Sequence, residues 1–195
     1  ESNPYIVKDS IIVDYNTRSK DIKVIAWGQD ANFLDGTLIE ENTTWTAGKP
    51  YVITSFVLVD SLVNLFLEAG TTVLFEPQAG LFVQGSLMAI GTAEQPITFS
   101  NTRFDEDFAD APGQWDGIYI LEGSSGNRVE HAIVRNGTFG FRVGSPDDNS
   151  EFDIVIEHTI IQNMSVAGIL AFTSDVLAKN TLIHNCGSYL VGNFA

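Results

Sequence analysis

The sequence predicts an all-β protein built as a parallel β-helix, a solenoid of stacked coils, and two observations carry this prediction. Short runs rich in Val, Ile, Phe and Thr alternate with Gly, Asn, Asp and Ser, while helical periodicity is almost absent. A segment of eight residues also recurs in the second half of the chain, at 129–136, 156–163 and 178–185. Repeats with a period in the low-to-mid twenties are typical of solenoids.

The repeat defines columns of equivalent residues along the solenoid axis. Its copies close on Asn136, Asn163 and Asn185, and the pattern predicts an asparagine ladder at a turn. An asparagine amide can bond its copy in the next coil, and asparagine tolerates a left-handed backbone. The asparagines lie 27 and then 22 residues apart, so the coils carry loops of unequal length.

Two further columns follow from the same alignment. His131 and His158 share one position, with Asn180 in the third copy, and we predict a polar turn ladder there rather than a metal site. A metal site needs three or four convergent ligands, and this column offers two histidines. Another column is predicted to lie in the core: Ile133, Ile160 and Leu182.

The coils are predicted over residues 43–195, about five to seven of them from Tyr51 onwards. Residues 1–42 do not fit the coil pattern, and we interpret them as an N-terminal cap or small β-element. An exposed first coil would present open strand edges, so something should cover it. The chain stops just after a strand with no capping signal, which leaves open a continuation of the natural polypeptide beyond residue 195.

Composition excludes several functional classes. The formal net charge is −15, and such a field repels phosphate backbones and anionic membranes, so we expect no nucleic-acid partner. The single cysteine, Cys186, excludes a disulfide framework and a multi-cysteine metal site. No run of 18 apolar residues occurs, so no transmembrane segment is predicted.

Four stretches, at residues 43–53, 65–75, 85–99 and 114–118, resemble the first coils of a known group. These are right-handed parallel β-helix proteins of the secreted or surface (lipoprotein) type found in gut-type bacteria. The resemblance covers roughly residues 40 to 191. It implies an exported protein at the outer-membrane or cell surface, lipid-anchored upstream of residue 1. Because this fold hosts lyases, hydrolases, adhesins and inert scaffolds, the resemblance specifies fold rather than activity.

The sequence contains acidic side chains that could act in catalysis or bind a metal, and each of them also has an ordinary surface role as an alternative. Glu130 and Glu157 share a column that Lys179 continues, and two carboxylates ~5 Å apart would suit a retaining glycosidase. A solvated surface column is the favoured interpretation, since charge rows are usually exposed. The acidic loops 105–110 and 147–151 match no calcium-loop spacing. We therefore predict no catalytic residue, metal or cofactor.

The predicted ligand-binding residues are Tyr119 and Arg142, with Trp115 nearby. Tyr119 and Arg142 should point outwards on one strand series, between insertions at 101–114 and 144–153. A tyrosine ring can stack on a sugar, and an arginine fork can bind a carboxylate or sulfate. The alternative is that both side chains simply cover a sheet face, and that Trp115 is a packing residue.

Together these features predict a non-catalytic extracellular or cell-surface binding or scaffold protein, glycan-associated or adhesin-like. Its expected partner is a polysaccharide or a surface protein. The alternative is a polysaccharide lyase or glycoside hydrolase on the same scaffold. A cleft lined by buried carboxylates near an Arg, Lys or His would favour that alternative.

Overall fold

A computed structural model describes residues 6–27, 30–105, 107–144 and 151–194. Within these ranges all regular secondary structure is β-strand and no helix is present, which confirms the all-β prediction. The strands are β1 Ile6–Tyr15, β2 Arg18–Trp27, β3 Asn32–Leu34, β4 Thr37–Ile39, β5 Thr43–Trp45, β6 Tyr51–Ile53, β7 Phe56–Val59, β8 Asn64–Leu67, β9 Thr72–Phe75, β10 Gly80–Val83, β11 Ser86–Ile90, β12 Ile97–Asn101, β13 Gly117–Ile120, β14 Asn127–Glu130, β15 Ala132–Arg135, β16 Phe139–Val143, β17 Ile154–Glu157, β18 Ile160–Met164, β19 Ala167–Phe172, β20 Val176–Lys179, β21 Leu182–Cys186 and β22 Tyr189–Phe194.

From β3 onwards the chain winds through three parallel sheets in turn, so each of the first six coils contributes one strand to each sheet, and the seventh is described at β21 and β22. Sheet I has the order β3-β6-β9-β12-β15-β18-β21, and sheet II has the order β4-β7-β10-β13-β16-β19-β22. Sheet III has the order β5-β8-β11-β14-β17-β20. Every neighbouring pair in these sheets is parallel. The predicted parallel β-helix is therefore confirmed, with about seven coils.

The first coil begins at Asn32, earlier than the boundary at residue 43 that the sequence suggested. Strand β3 pairs with β6, and β4 pairs with β7, so both belong to the solenoid. Strands β1 and β2 form a separate antiparallel hairpin. The described side chains of this hairpin, those of residues 9–24, are all exposed and bury no apolar face. The capping role of the N-terminal segment thus stays a prediction.

Side chains that alternate inwards from the three sheets fill the solenoid. A representative inward column of sheet II is fully buried from the second coil to the sixth: Val57, Leu81, Ile118, Phe141 and Ile169. Each member packs on its equivalent in the next coil, ~4.8 Å away. Removing water from this continuous apolar interior is the main stabilising contribution of the fold.

The core column proposed for sheet I was wrong by one residue. Ile133 and Ile160 are half-buried on the outside, and Leu182 is 55% exposed. The inward positions belong to the next residues, and Val134 and Ile161 are fully buried. Each repeat has two adjacent apolar residues here, and a shift of one residue in a strand exchanges the two faces. Counting back by twos from the buried Asn136 selects the correct one.

Candidate functional site

The outer face of sheet II brings Arg142 between two aromatic rings. Its guanidinium carbon lies 5.6 Å from the ring centre of Tyr119 and 5.3 Å from that of Phe172. Strand pairing aligns Phe82, Tyr119 and Arg142 in consecutive coils, and the Phe82 and Tyr119 rings stack with centres 4.7 Å apart. We call Phe82, Tyr119, Arg142 and Phe172 the arginine platform. Cations held against aromatic faces in this way are attracted by the ring quadrupole.

Tyr119 is the buried member of the arginine platform, with 9% exposure. Its ring lies between Phe82 and Arg142 along the column, and the edge of Phe139 closes a third side. Burial raises the pKa of its phenol, and a hydrogen bond to Asp116 adds to that increase. Both faces of the ring therefore have protein neighbours, and the stacking of a sugar on Tyr119 stays an untested prediction.

The exposed aromatic surface beside Arg142 comes from residues that sequence reasoning missed. Phe172 is 37% exposed and Phe194 is 42% exposed, and their rings stack with centres 5.5 Å apart. Tyr189, 46% exposed, meets Phe194 edge to face. Phe172 and Phe194 pair in register on β19 and β22, so the aromatic strip continues along the solenoid axis. The sequence signal for them is an aromatic residue at the end of β19 and of β22.

Trp115 lies in the core, where the structure gives it a packing role. It is 1% exposed, and its indole stacks on Phe75 with ring centres 4.1 Å apart. Its Nε1 donates a 2.8 Å hydrogen bond to the carbonyl of Arg135. The indole is thus satisfied inside the protein and does not reach the outer face of sheet II.

The asparagine column forms a hydrogen-bonded ladder that is buried at Asn136 and Asn163 and exposed at Asn185. Nδ2 of Asn163 donates to Oδ1 of Asn136 at 3.1 Å, and Nδ2 of Asn185 donates to Oδ1 of Asn163 at 2.6 Å. Nδ2 of Asn136 donates in turn to Oδ1 of Asn101 at 2.9 Å. Asn101, which the repeat alignment missed because it precedes the first copy, therefore begins the ladder. Asn136, Asn163 and Asn185 have left-handed backbones, with φ of 68°, 58° and 53°.

The histidine column is a stack of rings at a second left-handed turn. The rings of His131 and His158 lie 4.8 Å apart with an interplanar angle of 8°. Their φ values are 48° and 49°, and Asn180 continues the column with 50°. Within the described ranges, no group of three or more His, Cys, Asp or Glu side chains is arranged to hold a metal ion.

The two column carboxylates, Glu130 and Glu157, share the guanidinium of Arg128 on the outer face of sheet III. Nη2 of Arg128 lies 3.1 Å from Oε2 of Glu130 and also pairs with Glu157. Lys179 Nζ approaches the second oxygen of Glu157 at 3.6 Å. Sequence reasoning found Lys179 but missed Arg128, which lies two residues before Glu130. The two carboxylates are thus engaged in a surface ion-pair network with Arg128 and Lys179.

The acidic loop after β12 is tied to the asparagine ladder. Asp110 Oδ1 lies 3.3 Å from Nδ2 of Asn163, and the carbonyl of Ala109 accepts a 2.8 Å hydrogen bond from Asn136. Arg103 lies over the Phe108 ring at 3.1 Å and pairs with Asp105 at 3.4 Å. Residue 106 and residues 145–150 lie outside the described residues, so the second acidic loop is described only at residue 151.

Sequence reasoning also missed a groove of about 500 Å³ on sheet III. Its lining includes Leu62, Asn64, Phe66, Gln84 and Met88, and no charged side chain lines its described walls. Leu62 is 97% exposed and has a left-handed backbone with φ of 63°. A leucine in that conformation is uncommon, and no short sequence pattern predicts it.

The fold and its ladders define the chain as a parallel β-solenoid, and comparisons with known proteins add little beyond that. Over 99 residues, 48% of this chain, it is 29% identical to Protein bark beetle of Drosophila melanogaster. The matched part is 3% of that protein, so the chain spans a small fraction of its length. No family model and no solved structure matches the chain. In the described part of the chain, no helix is long and apolar enough to cross a bilayer.

Proposed function

We propose that this chain is a non-catalytic binding module, exported to the cell surface, that holds a glycan along the outer face of sheet II. The observation that carries the proposal is Arg142, exposed and positioned by the rings of Tyr119 and Phe172. No ion pair among the described residues includes it. Its donors are therefore available to a ligand.

The chemistry of the arginine platform suits an acidic sugar unit. A guanidinium presents a planar fork that binds a carboxylate or sulfate through two parallel hydrogen bonds. Because the flanking rings already orient that fork, ligand binding orders few additional side-chain torsions. The exposed rings of Phe172 and Phe194 offer apolar faces beside it, on which neighbouring sugar rings can stack.

Charge makes such binding selective. The chain carries a formal net charge of −15, so a highly charged polyanion is repelled by the molecule as a whole. A glycan with isolated acidic groups meets less of this repulsion and still satisfies Arg142. We therefore infer a ligand with occasional carboxylates or sulfates rather than a densely sulfated chain.

A glycan panel tests the proposal with matched arginine variants. We expect Arg142→Gln to weaken binding of an acidic glycan about ten- to hundredfold, because a charge-assisted hydrogen bond contributes ~1.5–3 kcal/mol. Arg103→Gln, which changes an arginine on the loop after β12, should leave binding unchanged. If the parent binds no glycan, or if both variants bind as the parent does, the proposal is wrong. New reducing ends or unsaturated products in the same panel would replace it with the lyase or hydrolase alternative.

Export and surface attachment rest on the resemblance to surface β-helix proteins alone. A separate experiment tests them in the source cells. We expect an antibody against the folded solenoid to label intact cells, and an externally added protease to remove that label. Signal only after permeabilisation would place the protein inside the cell and contradict this part of the proposal.

A further inference from the structure

The groove on the outer face of sheet III is produced by turns of unequal length in three successive coils. Gln84 and Gly85 alone connect β10 to β11, whereas residues 60–63 form the turn before them and residues 121–126 form the turn after them. Residues of all three turns line the groove, and the two longer turns, two coil spacings or ~9.6 Å apart, form its walls. That width admits one extended chain, since neighbouring extended chains lie ~4.8 Å apart.

The apolar lining of this groove is open to water. Phe66 and Met88 pair in register on β8 and β11, and Phe66 is 40% exposed. Leu62 on the first wall is 97% exposed and is held in a left-handed conformation that is strained for leucine. We call the site lined by Leu62, Phe66 and Met88 the sheet III groove. Exposed apolar side chains grouped in this way mark interaction sites.

Polar groups of the sheet III groove determine which kind of apolar ligand it suits. The side chains of Gln84 and Ser125 are exposed within its lining. A purely apolar ligand would remove them from water without offering hydrogen bonds, which is unfavourable. The carboxamide of Gln84 has a donor and an acceptor, as every peptide group of an extended chain does. The flexible thioether of Met88 adapts to the shape of an inserted side chain. An apolar side chain on a peptide backbone therefore satisfies both parts of the lining.

The walls of the sheet III groove favour a basic ligand. Asp60 lies two residues before Leu62 on one wall, and Glu122 lies directly before Gly123 on the other. In the part of the chain that the structure describes, no ion pair includes either carboxylate. The chain as a whole has a formal net charge of −15. Basic residues on both sides of an apolar residue therefore complement the groove and its walls.

We propose that the sheet III groove binds an extended segment of a partner protein in which one apolar side chain lies between basic residues. The apolar side chain packs on Phe66 and Met88 beside Leu62, and the basic side chains pair with Asp60 and Glu122. Strands β8 and β11 already pair with a strand on each edge, so the segment is held by side chains and does not extend the sheet. This inference is independent of the arginine platform, which lies on sheet II.

The two methionines of the chain provide a probe and an internal control. Met88 lines the sheet III groove, whereas Met164 is buried in the core with 1% exposure. Methyl-labelled methionine NMR follows a titration with a capped peptide, Lys-Ser-Leu-Ser-Lys. We expect the Met88 methyl signal to move and the Met164 signal to stay in place. A peptide with serine at its centre should bind about tenfold more weakly, because it lacks the apolar side chain. A peptide with glutamate in place of both lysines should also bind more weakly.

Substitutions in the two walls test the two parts of the proposal separately. Leu62→Asn keeps a residue that tolerates the left-handed backbone and removes the apolar side chain, so we expect about fivefold weaker binding or more. Leu38→Asn, at an exposed leucine on β4, is its control and should not change binding. Glu122→Gln should weaken binding of the lysine peptide about two- to fivefold. Glu94→Gln, at an exposed glutamate in the turn after β11, is the matched control.

Several results would overturn the proposal. One is a Met88 signal that does not move with Lys-Ser-Leu-Ser-Lys at ~10 mM, a concentration at which a complex with a Kd of ~1 mM is largely formed. Others are equal binding of the serine-centred peptide, or binding that Leu62→Asn and Glu122→Gln leave unchanged. Tighter binding of the neutral sugar cellohexaose than of the leucine peptide, read from the same Met88 signal, would make the groove a sugar site instead. Arg142→Gln should bind the leucine peptide as the parent does, which separates this test from that of the arginine platform.

Discussion

Truncating Ile161 to alanine is the sharpest test of which sheet I side chains face the core. Ile161 is fully buried and belongs to the inward column between Val134 and Ile183. An alanine Cβ built on Gly140 would lie only 2.7 Å from Cγ2 of Ile161, so the isoleucine packs directly against that backbone. The coils above and below are fixed by strand pairing, and the space left by the truncation cannot collapse.

The expected cost follows from the carbons removed. Truncation deletes three buried carbons at about 0.8 kcal/mol each, which gives ~2.4 kcal/mol. The residual cavity raises the loss to ~3–4 kcal/mol, within the ~2–5 kcal/mol typical of buried Ile-to-Ala changes. For a chain of this size, that corresponds to a melting temperature about 6–16 °C lower.

Ile160→Ala is the matched control, because it makes the same chemical change one residue earlier, on the outer face. Ile160 is half-buried there, and we expect a loss below ~1 kcal/mol. Thermal unfolding followed by far-UV circular dichroism measures both variants. Equal losses, or a larger loss for Ile160→Ala, would refute the assignment of the faces.

Three further predictions concern the asparagine ladder, the arginine platform and a glycine in strand β16. Asn163→Gly keeps a left-handed backbone but leaves its ladder neighbours unpaired, so we expect a loss of ~1–3 kcal/mol in urea unfolding. The raised pKa of Tyr119 stabilises the fold below about pH 10, the unfolded value, and this contribution is lost at higher pH. The melting temperature should therefore fall more steeply above about pH 10 in the parent than in Tyr119→Phe. Gly140→Ala would place a Cβ 2.4 Å from the carbonyl oxygen of Gly168 and should reduce soluble yield, whereas Gly48→Ala, with no atom within 4 Å, should not.

The architecture could be predicted because stacking imposes a repeat that is visible in the sequence. Three copies of one segment, each closing on asparagine, are enough to define coils and columns. The orientation of those columns could not be read in the same way. Ile160 and Ile161 are chemically alike, and only the inward position of Asn163, 5% exposed, distinguishes their faces.

The start of the solenoid and the details of its surface depended on contacts distant in sequence. Strand β3 has only three residues, and its pairing with β6 identifies it as part of a coil. The pairing of Arg128 with Glu157 joins residues 29 apart, across two coils. Phe172 contacts Arg142 from a strand in the next coil. Which residues become neighbours depends on the register between strands of adjacent coils. Predicting that register requires the length of every loop that connects them.

Unequal loop lengths around a constant set of columns have an evolutionary consequence. The loop between β12 and β13 spans residues 102–116, whereas β10 and β11 are separated by Gln84 and Gly85 alone. Strand pairing and the asparagine ladder keep the coils aligned whatever the length of the connection between them. A loop that connects two strands of the solenoid can therefore gain or lose residues without altering the strands on either side of it. Descendants of this scaffold can change what they recognise by exchanging loops, while the stack that carries those loops is inherited intact.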